Sequence, residues 1–255
     1  MKSLALVLLL ASPVGPQQWA PPDKPDPTQI LQEAQEDARA GRRELALAKH
    51  IWYHENALKY DKAQAGVRLS FALSYWLQLA QIHPPAMAAL KAARDAAQRN
   101  VLEGAPGFDS FADFAALNRT LGEERLTRDV FVQLDRDGSR FAAAAFHTAR
   151  PALIKHKEYE LCLKYVKPKE ALARAVSIYQ MHQKKLAEKR FEPLANFADR
   201  SFTNSVATIV GLLAVNGRNE EAAQIARDAK KEWKDAAFHA AIDDALKGNV
   251  PNPWP

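Results

Sequence analysis

The chain has 255 residues, of which 47% are hydrophobic and 25% charged, with a formal net charge of +5. These figures put it in the soluble globular class, with material for one elongated domain or two small ones. Alanine recurs throughout, strictly alternating β-branched runs are scarce and there are ten glycines, so the composition points to helices and away from hairpins and sheets.

At the N-terminus Lys2 precedes an apolar run from Leu4 to Ala11, followed by Ser12 and Pro13, the basic, apolar, small order of an export signal. At about eight residues the run is too short to span a bilayer. Residues 1–20 therefore read as a signal peptide. The mature chain is expected in the periplasm or outside the cell, without a transmembrane helix. Six of the fifteen residues from Pro13 to Pro27 are proline, so residues 21–27 read as an extended Pro-rich linker. A helical domain is expected over 28–250 and a second Pro-rich tail over 251–255, with Trp254 docked on the last helix.

Within 28–250 the helices come in pairs. The first pair runs from Ile30 to Tyr60 with Gly41 at its turn and Ala46 at the helix crossing. The second uses Val67 to Ile82, then His83-Pro84-Pro85, then Ala86 to Arg99, its prolines suiting a turn and a first helical position. Phe71, Tyr75, Trp76 and Leu79 read as a core stripe along one helix, with an apolar pocket for a partner's side chain as the functional alternative. An extra helix is expected over about Lys169 to Arg190. The last pair is the clearest: Val206, Ile209, Val210 and Leu213 recur at helical spacing, Gly217 breaks the helix, and Glu220-Glu221-Ala222 opens a second helix carrying Ala226 and Ala229. Gly211, inside that apolar helix, costs roughly 1 kcal/mol against alanine and is expected to mark a close helix contact.

Large and small residues at these places resemble the tetratricopeptide repeat, a helical hairpin of about 34 residues. Phe111, Phe114, Ala115, Leu121, Gly122, Thr127 and Phe131 follow its pattern, with Asn118 where an aromatic is usual. Phe146, Ala149, Leu153, Tyr159 and Cys162 follow it again, with Lys157 in place of the turn glycine and Arg150 in place of a small residue. The crossing residues Ala46, Ala88, Thr127, Cys162 and Ala222 are 42, 39, 35 and 60 apart, and the extra helix accounts for the last interval. The resemblance implies an all-α fold, a right-handed α-solenoid of about four to five stacked hairpins with one extra helix before the last. It also implies a concave surface that holds a protein or peptide partner. By family position the first helices of the pairs place Gln35, Arg39, Arg119, His147, Lys155 and Asn204 there.

Chemistry-bearing constellations are sparse. His50 and His54 share one helix face with Glu55 beside them, a spacing suited to zinc, but the arrangement matches no metalloprotease motif and supplies no third ligand locally. Packing and hydrogen bonding between helices is the competing reading. Asp135-Arg136-Asp137-Gly138 has the middle of a calcium loop, while Gln133 and Ala144 stand where its first and last ligands belong, so it reads as a polar turn. No phosphate loop, nucleophile elbow or cysteine pair is present. Cys162, the lone cysteine, reads as a buried small residue. No cofactor and no catalytic residue is expected.

The positive charge is regional. Arg150 to Arg190 holds eleven Lys and Arg against four Glu, and the rest of the chain nets −2. Aromatics are not interleaved with these charges, so the stretch reads as a solvated basic face and not as a nucleic-acid surface. The expected protein is thus an exported, monomeric, non-enzymatic binding module. A structural subunit of an envelope assembly and a metal-dependent enzyme using the His50 and His54 face are the rival readings.

Overall fold

The computed structural model describes residues 19–104, 108–189 and 192–253. Every regular element among them is helical, and helices adjacent in the chain pack as pairs. The described residues divide into two compact units, one drawn from Met1–Glu103 and Ala116–Gly122, the other from Gly104–Ala115 and Glu123–Pro255. No helix among them is long and apolar enough to cross a membrane. The expected signal peptide falls on residues 1–20, of which 1–18 lie outside the described residues, as does Trp254.

In unit 1, α1 (Pro27–Arg39) begins where Asp26 accepts hydrogen bonds from the backbone N–H groups of Thr28 and Gln29, at 2.8 and 3.3 Å. Pro27, expected to close the linker, is the first helical residue, where its missing N–H costs nothing. Gly41, at φ +78°, turns the chain into α2 (Arg43–Tyr60). Ile30, Leu31 and Ala34 of α1 and Ala46, Tyr53 and Ala57 of α2 are buried. The same pair carries a charged group that the periodicity did not flag. The buried Lys49 ammonium lies 2.8 Å from Glu33 and 2.9 Å from Asp37, and Arg42 adds a 2.7 Å contact to Asp37. Trp19, before the first helix, sits edge-on to Trp52 of α2 with ring centroids 6.2 Å apart.

A 3-10 turn (Lys62–Gln64) and α3 (Ala65–Arg68) lead to the pair α4 (Phe71–Ile82) and α5 (Pro84–Leu102). The expected core stripe of α4 is corrected by one position: Ala72, Leu73, Trp76, Leu79 and Ala80 are buried, while Phe71 is 63% exposed. Ala88 is also exposed, and Ala86 and Leu90 are the fully buried residues near the start of α5. α5 begins at Pro84, two residues before the expected start at Ala86, and its first buried residue likewise comes two residues before Ala88.

In unit 2, the first residues of α6 (Phe108–Leu121) join α7 (Glu124–Arg136), α8 (Ala142–Lys155) and α9 (Tyr159–Tyr165). Phe111 meets Phe114 and Phe131 edge-on, and Tyr165 stacks on Phe146 with centroids 5.2 Å apart. Thr127 and Cys162, both expected at crossings, are buried, and burial pushes the Cys162 thiol up to about 12. Lys157 adopts φ +62°, and Glu158 N–H donates to the Leu153 carbonyl at 2.9 Å. Gly217, at φ +76°, makes the same ending after α11, where Arg218 N–H reaches the Leu213 carbonyl at 2.9 Å. Lys157 therefore does a glycine's job, the left-handed cap that satisfies a helix end.

The extra helix is α10 (Pro168–Lys189), followed by α11 (Glu192–Val215), α12 (Asn219–Glu232) and a helix not anticipated, α13 (Ala236–Ala245). Asp235 caps α13 through Phe238 N–H, and Phe238, Ile242 and Ala245 complete the core formed by Phe202, Val206, Val210, Ala222 and Ile225. The close contact expected at Gly211 is not with a helix. A Cβ there would lie 3.0 Å from the Asn249 carbonyl oxygen and 3.1 Å from Val250 Cα, so the glycine admits the backbone of the C-terminal segment.

Candidate partner-binding cleft

Three helices of unit 1 surround a cleft of about 190 Å³. α4 shows why. Its buried residues occupy one stripe, which leaves Phe71, Tyr75, Gln78 and Ile82 as a second stripe at spacings of four, three and four, the period of one helix face. Tyr75, Gln78 and Ile82 line the cleft, with Leu79 at the edge of the core. α1 supplies Gln35, Ala38 and Arg39 from the flank of its buried face, and α2 contributes His50. Two of the residues placed on a partner-binding surface, Gln35 and Arg39, are thus brought together, along with one imidazole of the metal candidate pair.

His50 is 2% exposed, and its Nε2 has no hydrogen-bond partner among the described residues. Burial pushes its pKa down to about 4, so the ring is neutral at pH 7. It stacks on the Trp76 indole at a centroid distance of 6.2 Å and 7° between planes, while His54 meets the same indole edge-on at 5.8 Å. Among the described residues no group of three or more His, Cys, Asp or Glu side chains is arranged to hold a metal ion. The two imidazoles pack on Trp76 as aromatic partners.

Gln35 donates weakly to the Leu31 carbonyl at 3.4 Å, and the Arg39 guanidinium is exposed. Ile82 is 55% exposed, an apolar side chain at the rim of a cleft whose walls also carry an amide, a phenol and a cation. Such a surface can take an apolar side chain against Tyr75 and Ile82 while the polar groups around them bind its backbone.

The other expected surface residues lie elsewhere. Arg119 donates to the Leu69 carbonyl at 3.2 Å in unit 1. In unit 2, Lys155 is 2.8 Å from Glu124, His147 stands in a separate recess near Arg150 and Arg174, and Asn204 donates to the Asn252 carbonyl at 2.8 Å. Lys155 and Asn204 therefore have structural partners within the fold.

A larger hollow of about 540 Å³ in unit 2 is lined by Asn204, Trp233, Phe238 and the segment Asn249 to Pro251. Its polar walls are largely engaged: Asp235 caps α13, Asp244 accepts from Asn249, and Asp199 accepts from Tyr179. The C-terminal segment forms one of its walls. Gln78 and Ile82 escaped the sequence reading, and the signal that would have found them is the mixed polar and apolar stripe beside the core stripe of α4. No known protein family, characterised protein or solved structure matches the chain.

Proposed function

We propose that the chain is a protein-binding module of tetratricopeptide type, whose cleft in unit 1 receives a short peptide segment of a partner. The observation that carries this reading is the convergence of Gln35, Arg39, His50, Tyr75, Gln78 and Ile82 on one recess with an exposed apolar rim. The right-handed stack of four to five hairpins, the monomeric state, the absence of catalysis and export through residues 1–20 belong to the same proposal. They rest on the residue patterns, and the pairing of neighbouring helices supports the stacked-hairpin part.

The test is selection of peptides from a displayed library against the full chain, followed by affinity measurements on variants. The reading expects selected peptides to weaken on Ile82→Arg and Arg39→Glu, two exposed positions whose substitution spares the core. Peptides that bind both variants as tightly as the parent would place the binding surface elsewhere.

A further inference from the structure

Unit 2 contains a recess of about 270 Å³ formed by α8, α10 and α11 with the segment after α9. Cations converge there from three places: Arg150 on α8, Arg174 on α10 and Lys167 just before α10, with His147 three residues before Arg150. Glu170 is the one carboxylate among the lining residues described, and it pairs with Lys167 at 3.2 Å. Arg150 and Arg174 make no hydrogen bond and no ion pair among the described residues.

Two guanidiniums thus line one recess whose one described carboxylate is paired with Lys167, and one of them, Arg150, is half-buried. Burial and the nearby Arg174 both push the Arg150 pKa down, and burial with the two arginines does the same to His147. An uncompensated cation in a low-dielectric place costs free energy that packing does not return, and a bound anion removes that cost. The first turn of α10 adds the positive end of a 22-residue helix dipole. Two unpaired positive charges match a dianion better than a monoanion.

Apart from Ser205, the remaining walls are largely apolar, from Phe146, Tyr165, Ile178 and Ile209. An anion bound there presents an organic body to those side chains, and a volume at the small end of ligand pockets limits that body to about one ring. We infer that this recess binds a small phosphate monoester, with the phosphate held by Arg150 and Arg174 and the organic body against Phe146, Tyr165 and Ile178. The site lies wholly in unit 2 and is independent of the peptide cleft.

The experiment is calorimetric titration of the full chain at fixed ionic strength with phenyl phosphate, inorganic phosphate and benzoate. Phenyl phosphate is expected to saturate one site and to bind more tightly than either other probe. Arg174→Gln, at an exposed position, is expected to weaken it about tenfold or more, the scale of a lost charge-assisted hydrogen bond. Arg150→Gln should do the same once its circular dichroism matches the parent, while Lys91→Gln, at an exposed position outside either recess, leaves the affinity unchanged. The inference is overturned by unsaturable phenyl phosphate, by full affinity in Arg174→Gln, by benzoate binding equally well, or by inorganic phosphate matching the ester.

Discussion

The Lys49 ammonium lies 2.9 Å from the Asp37 carboxylate, and both side chains are less than a tenth exposed. Burial alone would raise the Asp37 pKa, but the hydrogen bonds from Lys49 and Arg42 outweigh it and hold the carboxyl below its usual range. Glu33 shares the same ammonium, so α1 and α2 are joined by a charged cluster as well as by apolar contact. Lys49→Met leaves the Asp37 carboxylate buried with only Arg42 beside it. It is expected to cost about 3 to 5 kcal/mol at pH 7, the usual cost of breaking a buried pair, read as a fall in the urea midpoint.

Acid should weaken the fold partly through His50. Its pKa falls from 6.5 in a free chain to about 4 in the folded one, so between these values the unfolded state binds more protons. The full contribution is present above pH 6.5 and is lost as the pH drops towards 4, about 3 kcal/mol at most. The lowered carboxylates Glu33 and Asp37 act in the same direction at lower pH. His50→Phe keeps an aromatic ring beside Trp76 and removes the proton. Its stability should decline less than the parent's between pH 6.5 and 4, and parallel declines in chemical denaturation would refute the assignment.

Lys157 holds a left-handed backbone at φ +62° that disfavours any residue with a Cβ. Lys157→Gly relieves that strain and is expected to stabilise the chain by about 1 kcal/mol, seen as a higher urea midpoint. Among the described residues the exposed lysine side chain makes no hydrogen bond that offsets this.

Gly211→Ala should be destabilising by about 1 to 3 kcal/mol, because the added methyl meets the backbone of Asn249 and Val250. A chain ending at Gly248 lacks that obstacle. In it the same substitution should become stabilising, by roughly 1 kcal/mol of helix propensity, and a thermal-melt cycle of the four chains reads the change of sign.

Much of the fold was legible because helix ends leave local marks. Gly41, Gly122 and Gly217 all take positive φ at turns where the sequence placed breaks, and even Lys157 stands where the pattern wanted a glycine. Small residues at crossings were legible at Ala46, Thr127, Cys162 and Ala222, all buried. Ala88 failed because α5 begins two residues before its expected start, and α13 was missed although Asp235 before Phe238 and Ile242 is a capped apolar period. The candidate cleft was half legible. Gln35 and Arg39 follow from helix position, whereas Gln78 and Ile82 join them only once α1, α2 and α4 pack. The cationic recess was legible as a regional excess of charge and not as a site, since Arg150 and Arg174 lie on different helices and only tertiary packing brings them together.

The most direct test of the binding account places a photo-crosslinking residue at Ile82 in the full chain and exposes it to a selected peptide. Ile82 is at the cleft rim and 55% exposed, so the reporter reads occupancy without disturbing the core. The peptide is expected to crosslink at Ile82, with excess unlabelled peptide abolishing the crosslink and Arg39→Glu reducing it in parallel with affinity. A peptide that binds the chain saturably yet never crosslinks at Ile82, while crosslinking at a reporter in unit 2, would contradict it.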